Sequence, residues 1–387
     1  MLADQILTWT RKHQPQTLAR IRRLVECESP SDDRAAVERF QDLLATELAP
    51  YARVRRHPGG QYARHLTAAL NLPGRKPSGR VLVLGHGDTV WPLGTLAGMP
   101  FRHAKDRLWG PGVMDMKGGL AIFLAAVECL REMDIPVPHR VLLQVNSEEE
   151  VGSPTSRALT EANARSSDAV LVLEPGTGLS GKLKTARKGI GDYRLTVHGR
   201  ASHAGVDFEA GASAVLELAR QIEKIASFTN LARGVTVNPG VIHGGTRSNV
   251  VAAEAWAHID MRIPRRRDAA ALDKKFRALK PFDPRCRIKV SGGLNRPPME
   301  SSAGGRRLFR IARQHAATLG IDLEDSMTGG GSDGNFTAAC GIPTLDGLGV
   351  VGIGAHAVDE SLLVDRLADR TALLALLLTE SLTARER

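Results

Sequence analysis

The stretch RVLVLGHGDTV, residues 80–90, decides the fold. An unbroken Val/Leu run without polar alternation is the pattern of a strand covered on both faces. The run ends in glycine and delivers His86 and Asp88 at its carboxyl end. RVLLQVNSEEE (140–150) and AVLVLEPG (169–176) repeat the plan. Between the first two lies MKGGLAIFLAAVECLREM, in which Leu120, Phe123, Leu124, Val127 and Leu130 recur at helical spacing and Cys129 shares the apolar face. Further on, SSAGGRRLFRIARQHAATLG reads as a helix and IPTLDGLGV as a strand. Strands alternating with helices define an α/β fold, a mostly parallel mixed sheet with helices on both faces.

Near residue 189 the chain changes character. The order becomes strand GDYRLTVHG, helix ASAVLELARQIEKIASF, strands GVTVNPGVIHGG and NVVAAEAWAHIDMRI, helix DAAALDKKFRALK and strand RCRIKVSGG. That is β-α-β-β-α-β, the split ferredoxin-like arrangement, and it reads as an α+β domain inserted into the α/β domain. GGLNRPPME is the returning linker. The expected division is 1–187, then the insertion 188–297, then 298–387; a chain of 387 residues suits two domains. Lys182, Lys184 and Lys188, just ahead of the insertion, are expected to form a solvated hinge.

A hydrophobic fraction of 42% with 24% charged residues is that of an ordinary globular protein. The formal charge of +10 raises the question of a polyanion. The basic residues are scattered, however, the densest cluster is Arg265–Arg267, and only 4% of residues are aromatic. Nucleic-acid binding needs a clustered stripe, so no nucleic-acid partner is expected. Cys27, Cys129, Cys286 and Cys340 form no CxxC pair, which excludes a thiolate zinc site and fits a reducing compartment. The opening MLADQILTWTRKHQPQTLARIRRL lacks a signal arrangement and reads as one amphipathic helix, and no apolar run approaches a membrane span. The expected location is cytoplasmic, away from membranes.

In an open α/β sheet, ligands collect at the carboxyl ends of the strands. Here those ends carry His86 and Asp88, Glu148–Glu150, and Glu174. Asp115 lies in the glycine-rich GPGVMDMKGG before the long helix, and His356 in GIGAHAVDE after the last strand. Imidazoles and carboxylates without thiolates are the ligand set of a hydrolytic zinc, cobalt or manganese site. His86, Asp115, Glu150, Glu174 and His356 suffice for two ions sharing one carboxylate. Asp88, two residues after His86 on one strand face, is placed to accept the other imidazole N–H.

The motifs HGDTVW, GPGVMDMKGG, SEEEVGS, LEPG, GRASHAG, RSNVV, GGGSD and GAHAVDE follow the order seen in the dinuclear-metal aminoacyl hydrolases. That family includes carboxypeptidase G, acetylornithine deacetylase and succinyl-diaminopimelate desuccinylase. The resemblance covers nearly the whole chain, is strongest to the glutamate carboxypeptidase branch, and implies a zinc-exopeptidase-like core with an inserted dimerisation or lid domain. It implies that His86 shares an ion with Glu174, that Glu150 and His356 hold a second, and that Asp115 bridges them. It also implies a cis Asp115–Met116 bond. The family pattern Glu-Glu-x-Gly aligns with Glu149-Glu150-Val151-Gly152. Glu150 then binds metal and Glu149 is the general base, the two pointing apart as neighbours on extended backbone do. Glu148 stays outside the mechanism, and its replacement is expected to do little.

By the same resemblance, His203 of SHAG donates to the tetrahedral oxyanion, and with Asn249 it reaches a partner subunit's active site. Arg262 grips a substrate carboxylate, for which a guanidinium is suited. Gly330, within TGGGSDG, contributes a backbone wall. The implied cofactors are two divalent ions, zinc foremost, with cobalt or manganese also accepted by these donors. The implied activity is hydrolysis of an amide beside a free carboxylate, on a small peptide or N-acyl amino acid, by a homodimer joined through the insertion. The alternative is deacylation of an N-acyl amino acid at the same site.

Overall fold

The computed structural model describes residues 1–74 and 77–382. They form two compact units: Met1–Ala186 with Ser301–Thr328 and the described residues from Ser332 on, and Arg187–Glu300 with Gly329–Gly331.

The first unit is built on a six-stranded sheet in the order Ala52–His57, His65–Leu70, Arg140–Asn146, Arg80–His86, Ala169–Val172, Thr344–Leu345. The last four pair in parallel; the first two add antiparallel at one edge. The unbroken apolar runs have their cause in packing on both sides. Val81, Val83 and Leu171 enter the main core, while Leu82, Leu84, Val170 and Val172 enter a smaller cluster on the opposite face. Each such side chain contributes about 1.5–3 kcal/mol by leaving water. Helix Gly118–Glu132 lies in the main core, with Leu120, Phe123, Leu124, Val127, Cys129 and Leu130 buried. It can approach the sheet because residue 119 is glycine: a Cβ there would lie 2.3 Å from the carbonyl oxygen of Leu173.

Three local expectations are corrected. The strand read through 140–150 stops at Asn146, because the chain curls into a short 3-10 turn at Glu149–Val151. The opening segment forms two helices, Leu2–Lys12 and Gln14–Glu26, since Pro15 lacks an N–H and seeds a new first turn. Lys182 and Lys184, ahead of the insertion, are no solvated hinge. Lys184 is buried within strand Leu183–Arg187, its backbone paired to Asp346, and Lys182 forms an ion pair with Glu324.

The second unit is a four-stranded antiparallel sheet in the order Thr236–Gly244, Glu254–Ile263, Gly189–His198, Arg287–Arg296. Its inward residues, among them Tyr193, Leu195, Ala257, Ile259 and Met261, pack with Leu218 and Ile225 of helix Ala214–Ala226 and Leu272 and Phe276 of helix Arg266–Arg277. Alternate residues on these strands are more exposed, the period-2 signature of a sheet covered on one face.

Candidate active site

Parallel register brings the donors together. Val83 pairs with Leu171 and Leu84 with Val172, so the two chains run level and Glu174 emerges beside His86. His86 Nε2 lies 3.6 Å from Glu174 Oε1 and 3.2 Å from Asp115 Oδ1. Asp115 comes from the loop before the long helix, and its bond to Met116 is cis. Its second oxygen, Oδ2, is 3.4 Å from His356 Nε2, which lies 3.2 Å from Glu150 Oε2. Asp115 thus turns one oxygen to each histidine. His356 sits in the turn joining Gly352–Ile353 to Ser361–Leu363, at φ 65°, a left-handed conformation uncommon outside glycine.

The cluster draws in positive charge. Burial alone would lower the pKa of His86, but Asp115, Asp88 and Glu174 hold it well above the usual imidazole value. Hydrogen bonds to Asp115 and Glu150 push His356 up to about 10. Burial pushes Glu150 up to about 7, whereas the two imidazoles outweigh burial at Asp115 and keep it far below the carboxylate range. Protons are filling a role that a cation fills better. Glu150 Oε1 is buried and, among the described residues, has no hydrogen-bond partner; leaving it so is costly without a cation to meet it. Donor atoms of His86, Glu149 and Glu174, and of His86, Asp115 and Glu150, lie within 4.8 Å of one another in each set and could hold a metal ion. The residues present fit a divalent metal of the hydrolytic kind.

The glutamate triplet is not arranged as extended backbone would have it. Asp88 accepts from the backbone N–H of Glu149 (Oδ1, 3.1 Å) and of Glu150 (Oδ2, 3.1 Å), capping the 3-10 turn so that both carboxylates serve the cluster. Glu148 is the one turned inward. It is fully buried and accepts from the N–H groups of Thr155 (3.0 Å) and Ser156 (3.1 Å), so its replacement strands two buried donors instead of doing little. Asp88 is also a correction in part. His86 Nδ1 is 3.0 Å from the Asp88 backbone carbonyl and 3.5 Å from its Oδ1, so the main chain orients the ring and the carboxylate holds the turn.

Sequence reasoning missed the supports beneath. The Ser31 hydroxyl donates to Asp88 Oδ2 at 2.7 Å. Asp333 accepts from Ser153 and Asn146 at 2.5 Å each, tying the end of the turn to the GGGSD motif. A buried Ser-Asp pair directly after three glycines was the available signal.

The remaining predicted residues lie in the second unit. His203 and Asn249 are exposed neighbours: His203 bridges to Val250, and Asn249 accepts from the Ala204 N–H at 3.0 Å. His203 Nδ1 accepts from the N–H groups of Gly205 and Val206, both at 3.1 Å. Arg262 is not an open guanidinium. It pairs with Asp260 (Nε to Oδ1, 2.9 Å) and donates to the Gly329 carbonyl at 3.3 Å. The Gly330 carbonyl accepts from Arg187 at 3.1 Å.

Fold and donor set define a hydrolase of the peptidase and amidohydrolase type. Residues 82–380 match the family model for peptidase family M20/M25/M40, and the chain belongs to that family. It is 31% identical over 366 residues to carboxypeptidase G2 of Pseudomonas sp. (strain RS-16), spanning 91% of this chain and 85% of that protein. It is 27% identical over 396 residues to succinyl-diaminopimelate desuccinylase of Rhodospirillum centenum, covering 93% and 95%. Among solved structures, aminopeptidase PepT from Bacillus cereus superposes with a TM-score of 0.76 at 23% identity over 96% of this chain and 99% of that one.

Proposed function

We propose that the protein is a two-metal hydrolase cleaving an amide or peptide bond beside a free carboxylate, in the manner of a glutamate carboxypeptidase. One observation carries this: Asp115 offers one oxygen to His86 and the other to His356, at 3.2 and 3.4 Å, with Glu174 and Glu150 flanking the two histidines. In this reading His86 and Glu174 hold one ion, Glu150 and His356 the other, and Asp115 both. Zinc suits these donors, and cobalt or manganese would be accepted. The ions would supply Lewis acidity towards water and the scissile carbonyl.

Glu149 takes the proton of the attacking water and returns it to the leaving amine. Its place beside His86 and Glu174, on a turn fastened by Asp88, supports that role. His203 donates to the oxyanion from Nε2. With two N–H groups on Nδ1, the neutral ring keeps its proton on Nε2, the tautomer the task needs. Arg262 grips the substrate carboxylate by exchanging Asp260 for it, Asn249 flanks His203, and Gly330 forms part of the wall. Residues 188–297 act as the dimerisation and lid domain between the two parts of the catalytic domain, so that His203 and Asn249 serve a partner subunit. Val206 and Phe208, 83% and 66% exposed beside His203, support a surface that a second copy covers. The expected location is cytoplasmic.

Kinship to the Pseudomonas carboxypeptidase favours a peptidyl-glutamate type of substrate; kinship to the desuccinylases favours an N-acyl amino acid and is the second reading. Metal-loaded enzyme tested on peptidyl and N-acetyl amino acids separates them. Faster turnover of peptidyl-glutamate is expected; faster deacetylation selects the second reading, and no turnover of any carboxylate-bearing amide sinks both.

A further inference from the structure

Glu360 opens the strand Ser361–Leu363 and is completely buried. Its carboxylate gathers four donors. Oε1 accepts from the backbone N–H of Met114 at 2.8 Å and of Asp115 at 3.1 Å. Oε2 accepts from the N–H of Gly112 at 2.9 Å and from the Trp91 indole at 2.8 Å. Trp91 lies five residues beyond His86, and His356 lies four residues before Glu360. One carboxylate therefore joins the three segments that bear His86, Asp115 and His356.

That junction has a particular consequence for His356. Its ring is half exposed, with 50% of the side chain open to solvent, and it stands in the turn joining two short paired strands, Gly352–Ile353 and Ser361–Leu363. The ring reaches Asp115 and Glu150 from an exposed turn, so its distance to Asp115 depends on how the base of that turn is fixed. Glu360 is at that base, and it bonds the backbone N–H of Asp115 itself. The N–H of Glu360 closes the turn on the Ala357 carbonyl at 2.9 Å. His86, by contrast, is locked at a buried strand end.

We infer that Glu360 is a positioning residue that sets the spacing between Asp115 and His356, and thereby the affinity for the ion those two share with Glu150. This rests on the two-metal reading above. An amide cannot replace the carboxylate, because Glu360→Gln turns an –NH2 toward donors and leaves only one oxygen for them. Supports of this kind affect metal affinity by about 10- to 100-fold when removed.

The test is calorimetric titration of metal-free parent, Glu360→Gln and Trp91→Phe with zinc, with thermal unfolding of the metal-free forms alongside. The parent should take two ions. In Glu360→Gln one ion should weaken about 10- to 100-fold while the other stays within about threefold. Trp91→Phe removes one donor and keeps the carboxylate, so it should weaken the same ion by a smaller factor. Parental affinity for both ions in a folded Glu360→Gln overturns the inference, and so does equal weakening of both. If Glu360→Gln does not fold, Trp91→Phe decides: selective weakening supports it and parental affinities overturn it. A parent that binds fewer than two ions overturns the two-metal reading itself, and the inference with it.

Discussion

The metal-type cluster and the His203 turn hold their functional groups in opposite ways. At the cluster, His86, Asp115, Glu150 and Glu174 sit on strand ends and tight loops whose backbone N–H groups end on buried carboxylates, Asp88 and Glu148 among them. At the turn, His203 is exposed, its ring accepting from two N–H groups of its own loop, with Val206 and Phe208 beside it facing solvent. A cluster of like charges needs its geometry enforced from below, because the carboxylates would otherwise repel one another apart. A single side chain carries no such burden and can be displayed on a loop. The first region is complete within one unit of one chain.

The largest effect tests the cluster's chemistry without its architecture. Glu149→Ala should lower kcat by about 10²–10⁴-fold, the usual worth of a general base, with both ions still found by elemental analysis. Loss of metal instead would make Glu149 a ligand. On the proposed oxyanion role, His203→Ala should lower kcat by about 10²–10³-fold without changing metal content or thermal stability. Mixing the two inactive variants sharpens the contrast. If His203 serves a partner, random exchange of a two-fold dimer restores about a quarter of parental activity, since half the dimers then carry one complete site. No recovery, despite demonstrated subunit exchange, would place His203 in its own subunit's site.

Smaller effects probe the supports. Glu148→Ala should cost about 3 kcal/mol in urea unfolding, because two buried N–H groups lose their acceptor. Unchanged stability would contradict its role as anchor. His65 links the two ends of the same turn, with Nδ1 3.0 Å from Ser147 Oγ and Nε2 3.0 Å from Thr155 Oγ1. Burial pushes its pKa down to about 4. The unfolded chain takes up a proton near pH 6.5 while the folded chain does not, so the stability His65 contributes is present above that pH and drains away as pH falls towards 4. His65→Gln should flatten that part of the stability–pH curve for the metal-free protein.

Much of this was visible along the chain. The Val/Leu runs named a sheet covered on both faces, and helical spacing named the helix before which Asp115 stands. The gathering of donors at strand ends followed from where open sheets expose reactive groups. The three consecutive glutamates show the limit. Extended backbone would point Glu149 and Glu150 apart, and the family pattern leaves Glu148 spare; nothing local signals that Asp88, some sixty residues earlier, caps the turn. Arg262 shows it again: the sequence offers an arginine on a strand, and only the fold shows that Asp260 is its neighbour.

What the sequence determined by itself is which chemistry is available and on which edge: hydrophobic period and residue type are local properties, and they survive without coordinates. What only the tertiary structure decided is which partners each acid finds. Glu148, Glu149 and Glu150 are chemically alike and adjacent. Their surroundings diverge because backbone donors from Thr155 and Ser156 claim one of them, and because His356 comes from two hundred residues away to meet another. Hydrogen-bond partners far apart in the chain are set by the fold, and identical side chains become different groups once each has found its own.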